Sequence, residues 1–194
     1  MHASPGFADP VLDSQRVFRA VLSALSRPGT PVPVASDLAP PAPLNVAQAA
    51  IALTLLDLDT PAWLDPVAAT DEVADWLRFH CGCPLVADPA KAAFALLADS
   101  AGVSELGRFH PGDAEFPDRS ATLIAAISGI GCGRTVTLRG PGIEGKTTVA
   151  LDGLPDEFDL RWADNHALYP LGVDLILAAP ETIVGLPRST KMER

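Results

Sequence analysis

The sequence has little cysteine and no long apolar run, and each shortage excludes a class of protein. Three cysteines are an odd number and too few for the disulfide framework of a small secreted domain. The longest apolar stretch, residues 46–56, contains Gln48 and is too short to span a bilayer. Residues 1–10 show no basic segment followed by an apolar one, so no secretory signal is predicted. A cytoplasmic location is the resulting expectation.

Positive charge is also scarce. The chain has 14 Lys and Arg residues against 24 Asp and Glu residues, and its formal net charge is −10. Because an acidic surface repels nucleic-acid backbones and anionic lipid, the sequence predicts neither nucleic acid nor a membrane as a partner. A local anion site is still compatible with this charge, since a few arginines can converge on one pocket in any protein.

What is present suits a compact globular protein. Hydrophobic residues make up 48% of the 194 residues and charged residues 20%, which predicts one domain over residues 1–194. Helical patterns alternate with apolar, β-branched segments, and this predicts an α/β fold. We expect a three-layer sandwich with a mixed sheet and helices on both faces. The predicted helices are residues 10–25, capped by Asp9, and residues 46–56, 71–78 and 158–168; the predicted strands are residues 60–64, 84–87, 93–97, 120–128, 135–138, 147–151, 173–178 and 182–186.

Residues 140–147 match the spacing of a phosphate-binding loop, but their surroundings do not suit one. Such a loop wraps phosphates with backbone N–H groups and is followed by a helix that points its positive end at them. Here a β-branched segment follows Lys146, Pro141 lacks a donor and Glu144 adds negative charge. We therefore predict a hairpin connection, with a nucleotide-binding loop as the alternative.

Residues 129–133 are predicted to be a turn and not a dinucleotide loop, because their glycine spacing is wrong and a strand follows.

His80, Cys81 and Cys83 could supply soft metal ligands, with Cys132 as a fourth. A Cys-x-Cys pair is strained around one tetrahedral ion, and zinc sites normally place two residues between paired cysteines. The favoured interpretation is reduced, partly buried thiols, so no metal is predicted. His80 follows a predicted helix, where its ring could reach a pocket or another subunit.

Three separate segments place an arginine beside proline and hydroxyl residues: residues 26–29, 115–122 and 186–190. Guanidinium and hydroxyl groups that converge can bind an oxyanion. The alternative is that the hydroxyl groups cap turns and that Arg119 pairs with Glu115 or Asp118. The hypothesis of a shared anion or ligand pocket names Arg27, Arg119, Ser120, Thr122 and Arg188.

Asn165 and His166 lie near the end of a predicted helix that leads into an apolar strand. Helix and strand ends are favoured positions for ligand groups in α/β folds. His166 could form an acid–base pair with Asp164 or Asp174, and a structural histidine is the alternative. Asn165 and His166 are therefore predicted to lie in a pocket or an interface, and no residue is assigned a catalytic role.

Eight short motifs follow one another over nearly the whole chain, namely residues 15–30, 53–57, 76–80, 117–122, 138–143, 162–166, 170–174 and 186–190. Each motif is short, but eight of them in one order are specific. Together they resemble the PhnH family, the H subunit of the bacterial carbon–phosphorus lyase system. Cys81 and Cys83 lie outside these motifs.

The resemblance implies a fold similar to pyridoxal-phosphate-dependent transferases, a homodimer and no cofactor. A pyridoxal enzyme needs a lysine for its Schiff base, and none of Lys91, Lys146 and Lys191 is well placed for one.

The resemblance also implies a role within a larger assembly. It implies partners, the G, I and J subunits, and a requirement in the transfer of a ribose triphosphate unit from ATP to a phosphonate. The nucleosidase chemistry is attributed to the I subunit, so we expect this chain to be an accessory or structural subunit. The alternative is a stand-alone phosphate-ester-binding enzyme that uses the arginine-lined pocket, with His166 as acid or base.

Overall fold

The computed structural model describes residues 4–34 and 36–193. Residues 1–3 lie outside it, and with them part of the segment on which the secretory-signal prediction rests. Within the described residues, no helix is long and apolar enough to cross a membrane. The α-helices are α1 (Pro10–Ser26), α2 (Val46–Leu55), α3 (Asp71–His80) and α4 (Phe158–Ala167), and the strands are β1 (Val32–Pro33), β2 (Ala62–Leu64), β3 (Phe94–Leu97), β4 (Thr122–Ala126), β5 (Gly129–Arg139), β6 (Thr147–Asp152), β7 (Asp174–Ala179), β8 (Thr182–Leu186) and β9 (Lys191–Glu193).

The first two helices begin where the sequence supplies a cap. The Asp9 carboxylate accepts hydrogen bonds from the main-chain N–H groups of Val11 at 3.1 Å and Leu12 at 3.0 Å. At α2, the Asn45 side chain accepts from the main-chain N–H of Gln48, and the Gln48 side chain accepts from that of Asn45. The four predicted helices are confirmed, and so is the cap predicted at Asp9, whereas the capping box at Asn45 was not predicted.

The main sheet has six strands in the order β1-β8-β7-β4-β3-β2. Strands β2, β3, β4 and β7 are parallel, whereas β8 and β1 run antiparallel to their neighbours. The predicted α/β fold with a mixed sheet is confirmed. A separate antiparallel sheet, in the order β6-β5-β9, was not expected from the sequence. Its third strand has three residues, too few to show an alternating pattern.

Side chains that alternate along the central strands enter two different hydrophobic clusters. Ile124 of β4 packs in the cluster formed with α1, α2 and α3, whereas Leu123 packs in the cluster formed with α4 and the small sheet. Helices therefore lie on both faces of the main sheet, as predicted. On the second face, however, α4 shares the surface with the small sheet and with a 3₁₀ segment, Ser100–Arg108, that the sequence does not predict.

Two sequence predictions are wrong. Residues 84–87 make only an isolated bridge, between Leu85 and Ala62, because the chain leaves the sheet at the proline-started 3₁₀ turn Pro89–Lys91. Residues 129–133 are not a turn but the first part of β5, where Ile130 and Arg134 both pair with Leu151. The glycines of this bulge at positions 131 and 133 have φ of +91° and +81°, which lets the strand carry the extra residues.

Helix α2 begins beside the carboxyl ends of the parallel strands β3 and β7. The buried Gln48 side chain donates from Nε2 to the carbonyl oxygens of Leu97 at 2.9 Å and Ile124 at 3.2 Å. The Asn45 side chain donates to the carbonyl oxygen of Ala178 at 2.9 Å. Open α/β sheets usually bind ligands in the crevice beyond these strand ends. In this protein, the side-chain amides of Asn45 and Gln48 donate hydrogen bonds to carbonyl groups at that end of the sheet.

The substitution Gln48→Leu is expected to lower the free energy of unfolding by about 3 kcal/mol, because it removes the three hydrogen bonds that the Gln48 side chain makes with main-chain groups of Asn45, Leu97 and Ile124. Urea denaturation followed by circular dichroism measures the change. Gln15→Leu, on the exposed side of α1, is the control and should change stability by less than about 0.5 kcal/mol. Equal stability of both variants would contradict the role given to Gln48.

Candidate functional site

Motif segments that are distant in sequence meet at the amino-terminal edge of the parallel strands. Thr122, at the start of β4, pairs with Asp174, at the start of β7. Strand β8 runs antiparallel to β7, so the chain after Leu186 returns to the same edge. An open depression of about 490 Å³ lies there, and we call it the amino-edge depression. It is lined by residues 117–118, 141, 169–170, 174 and 187–189.

Arg188 is the central residue of this edge. Its Nε and Nη2 atoms donate to the two carboxylate oxygens of Asp174 at 3.1 and 2.6 Å, and its main-chain N–H donates to the same carboxylate at 2.8 Å. Its Nη1 atom donates to the carbonyl oxygen of Pro117 at 2.6 Å. The two side chains are only 14% and 20% exposed, so water screens the pair weakly. The ends of β7 and β8 are thereby joined to the turn before β4.

Helix α4 is attached to the same edge by polar contacts. The Asn165 side chain exchanges two hydrogen bonds with the main chain of Val173, at 2.8 and 3.0 Å. The His166 ring donates from Nδ1 to the carbonyl oxygen of Arg188 at 2.9 Å. Asp174, one of the two carboxylates considered as an acid–base partner of His166, is bound to Arg188 instead. Both predicted residues thus lie at the site, where they bind the protein's own main chain.

The connection between β5 and β6 fills the space between the first and last arginine motifs. Gly142 has φ of +80°, and a Cβ atom there would overlap the carbonyl oxygen of Ser26. A Cβ atom at Gly140 would lie 2.9 Å from the carbonyl oxygen of Ser189. Strands β5 and β6 are antiparallel, and Thr147 begins β6 where a phosphate loop requires a helix. The predicted hairpin is confirmed.

The structure brings the three arginine-bearing segments to one edge but gives their side chains different environments. Arg188 is bound inside the protein. Arg119 is exposed and lies over the ring of Phe116, with its guanidinium carbon 3.9 Å from the ring centroid. Arg27 is exposed at the end of α1. Arg27 and Arg119 therefore present their guanidinium groups to solvent, whereas Arg188 does not.

Ser120 of the predicted pocket and Thr190, which was not predicted to belong to it, lie inside two similar turns. The main-chain N–H of Ser120 donates to the carbonyl oxygen of Pro117, and that of Thr190 donates to Pro187. The side-chain oxygens of Ser120 and Thr190 are buried and have no hydrogen-bond partner among the residues that the structure describes. Thr122 is partly buried at the start of β4. The two turns carry their hydroxyl groups into the protein.

His80 lies apart from this edge, at the end of α3. Its Nε2 atom donates to the carbonyl oxygen of Ser4 at 2.9 Å, which holds the N-terminal segment against the helix.

The Cys81 thiol donates to the carbonyl oxygen of Ala52 at 3.6 Å. A hydrogen bond with Cys83, together with burial, raises the pKa of the Cys81 thiol above its ordinary value. Across residues 4–34 and 36–193, no group of three or more His, Cys, Asp or Glu side chains is arranged to hold a metal ion.

A second cavity, of about 340 Å³, lies between α4 and the 3₁₀ segment Ser100–Arg108. Arg161, Asp164 and Asn165 of α4 line it together with apolar side chains. The sequence analysis does not single out Arg161. Its position becomes apparent only once the 3₁₀ segment is known, and Gly102 and Gly107 hide that segment from helix patterns.

Comparison with known proteins agrees with the eight motifs. Residues 5–193 match the PhnH family, described as bacterial phosphonate metabolism protein. The chain is 41% identical over 191 residues to the alpha-D-ribose 1-methylphosphonate 5-triphosphate synthase subunit PhnH of Rhizobium meliloti (strain 1021), covering 98% of this chain and 96% of that protein. It is 32% identical over 178 residues to the putative C-P lyase subunit protein HtxG of Stutzerimonas stutzeri, covering 91% and 84%. The resemblance is thereby confirmed.

The substitution Asp174→Asn is expected to lower the free energy of unfolding by about 2 kcal/mol, because it leaves the mostly buried guanidinium of Arg188 without its carboxylate. Urea denaturation measures the loss. Asp75→Asn removes an ion pair with Arg78 in which both side chains are exposed, so it should change stability by less than about 0.5 kcal/mol. Equal losses in the two variants would refute the central role of Arg188 and Asp174.

The substitution Gly142→Ala is expected to destabilise the protein more than Gly145→Ala. Both positions have positive φ, which costs an alanine about 1 kcal/mol. At Gly142 the new methyl group must also displace the main chain at Ser26, which adds about 2 kcal/mol, whereas no atom lies within 4 Å of it at Gly145. Thermal unfolding measures both, and a Gly145→Ala variant as unstable as Gly142→Ala would show that the contact with Ser26 is unimportant.

Proposed function

The chain belongs to the PhnH family of phosphonate metabolism proteins, and from this we propose that it is an accessory subunit that contributes binding surface and not reacting groups. Its relatives are named as a subunit of a ribose methylphosphonate triphosphate synthase and as a putative C-P lyase subunit. We propose that this chain acts in the same transfer from ATP to a phosphonate, in the cytoplasm, assembled with the G, I and J subunits.

The observation that carries the proposal is the internal use of the polar motif residues. Asp174 and Arg188 bind each other, while Asn165 and His166 bind main-chain groups. A catalytic side chain must instead reach a reacting atom of the substrate. Residues in these contacts stabilise one arrangement of the edge, which suits a surface that another protein recognises.

The location of the motif residues supports the same conclusion. Asp174, Arg188 and the turns at Pro117 and Pro187 lie at the amino edge of the parallel strands. Reacting ligands of open α/β sheets bind at the carboxyl edge, where Gln48 and Asn45 bind carbonyl groups of the strands here. Four prolines, Pro117, Pro141, Pro170 and Pro187, line the amino-edge depression. A proline-rich rim is already ordered before binding, so a partner loses little conformational entropy in recognising it.

The residues of the hypothesised anion pocket have different roles in this proposal. Arg188 and Ser120 hold the turns of the amino edge, and Thr122 starts the strand beside them. The exposed Arg27 and Arg119 are the residues that we expect to meet an anionic group in the assembled complex.

We further propose the fold likeness to pyridoxal-phosphate-dependent transferases, one domain and a homodimer of the isolated chain. A bound pyridoxal cofactor is not part of the proposal. Lys91, Lys146 and Lys191 are exposed, in a 3₁₀ turn, a hairpin connection and a strand of the small sheet, respectively. A Schiff base requires a lysine that faces an enclosed site.

Co-expression with the G, I and J subunits tests the proposal. We expect one particle that contains this chain, and no turnover of ATP with methylphosphonate by the purified chain alone. Arg119→Ala should weaken assembly or phosphonate-dependent growth, because it removes an exposed guanidinium from the amino edge. Turnover by the chain alone would favour the stand-alone enzyme, and a chain that never joins the particle would refute the subunit role.

A further inference from the structure

Cys81 and Cys83 are two thiols that the proposed function does not use. They lie at the end of α3 and are separated only by Gly82. Both are free thiols in the structure. Cys83 is buried and Cys81 is partly buried, and both pack in the hydrophobic cluster formed with α1, α2 and α3. Two thiols at one place, unlike a single cysteine, can react with each other.

The main chain turns between the two cysteines. The N–H groups of Cys81 and Gly82 donate to the carbonyl oxygens of Leu77 at 2.8 Å and Arg78 at 3.1 Å, and Gly82 has φ of +66°. This is the left-handed ending that glycine commonly gives a helix. In an extended chain the Cα atoms of residues i and i+2 are about 7 Å apart, which is too far for a disulfide. The turn at Gly82 shortens this distance into the range that a disulfide bridges.

The two side chains are also in contact. A hydrogen bond between Cys81 and Cys83 raises the pKa of the Cys81 thiol and, against the effect of burial, lowers that of Cys83. The proton of the singly ionised pair is therefore shared between two neighbouring sulfur atoms. Because a thiolate is the form that attacks a disulfide, this pair holds both the nucleophile and its reaction partner.

The reduced form makes no contact that the oxidised form would need. The only oxygen that accepts from the Cys81 thiol, among the hydrogen bonds of the described residues, is the carbonyl oxygen of Ala52, and a thiol is a weak donor. The same oxygen accepts from the main-chain N–H of Leu56 at 3.0 Å. Loss of the thiol proton therefore leaves no carbonyl group without a partner.

We propose that Cys81 and Cys83 are a redox site, at which a low-molecular-weight disulfide such as glutathione disulfide forms a reversible bond between the two sulfur atoms. Cys81 passes its proton to Cys83 and attacks one sulfur of glutathione disulfide, so that one glutathione leaves as a thiolate. This thiolate takes the proton from Cys83, and Cys83 attacks the Cys81 sulfur and expels the second glutathione. The pair loses two electrons, and glutathione disulfide gains them.

The short spacing of the cysteines makes the bond easy to reverse. A ring closed by residues only two apart is strained, and strained disulfides are readily reduced. In a reducing compartment the pair stays as thiols, and the bond forms only under oxidising conditions, as is usual for the disulfides of cytoplasmic proteins. The site lies at the end of α3, apart from the amino edge, so this inference does not rest on the proposed function.

The test incubates the purified, folded chain with mixtures of reduced and oxidised glutathione, blocks the remaining thiols by alkylation and identifies the products by peptide mass spectrometry. The expected product is a peptide in which Cys81 and Cys83 together have lost two hydrogen atoms, and dithiothreitol should restore both thiols. Cys132, which is exposed on β5, is the internal control. It should carry a glutathione adduct at most.

Three variants separate the two steps. Cys83→Ser should stop the reaction at a mixed disulfide between Cys81 and glutathione, because the sulfur that expels the second glutathione is gone. Cys81→Ser should lose the product that lacks two hydrogen atoms. Cys132→Ser should oxidise like the unchanged chain. Circular dichroism verifies that each variant is folded.

Several results would overturn the inference. It fails if the folded chain carries only glutathione adducts even in a large excess of glutathione disulfide, or if Cys132 is part of the bond that forms. It also fails if oxidation requires urea, since the two thiols would then meet only in the unfolded chain. If Cys83→Ser does not fold, Cys81→Ser decides, because its side chain is only partly buried. A disulfide that still forms in Cys81→Ser would show that a different pair reacts.

Discussion

The ion pair between Arg188 and Asp174 is the interaction on which the arrangement of the amino edge depends. Asp174 begins a parallel strand, and Arg188 follows the antiparallel strand beside it. One guanidinium therefore ties two neighbouring strands together, and its contact with Pro117 adds the turn before a third. Helix α4 then joins through His166, which donates to the carbonyl group of Arg188 itself. Removing either charge would leave the other mostly buried and unpaired, and the four segments would lose their common partner.

Because these polar groups bind one another, what remains for other molecules is the shape and the outer charge of the edge. Prolines line the depression, and Arg119, which follows the lining residue Asp118, is exposed, as is Arg27 at the end of α1. At the opposite edge of the sheet, where an α/β enzyme would bind a ligand, the amides of Gln48 and Asn45 bind carbonyl groups of β3 and β7. The contacts at both edges of the sheet therefore support the proposal that other subunits recognise this chain.

The sequence predicts those features that depend on neighbouring residues. Asp9 and the spacing that follows it identify α1, and the β-branched residues after Lys146 identify the hairpin that a spacing pattern alone would assign to a phosphate loop. Contacts between residues that are distant in the sequence cannot be predicted in this way. Sequence reasoning pairs Arg119 with a nearby carboxylate, but the side chain lies over Phe116, and the carboxylate that binds Arg188 is set by the register of β7 and β8. The 3₁₀ segment and the small sheet are missed because short elements carry little periodicity.

The charge of the chain places a physical condition on its assembly. A protein of net charge −10 is repelled at long range by any acidic partner, so specific association needs a local surface where the sign is reversed. The exposed Arg27 and Arg119 are the groups that we expect to meet such a partner, because the third arginine of the motifs, Arg188, is already neutralised by Asp174.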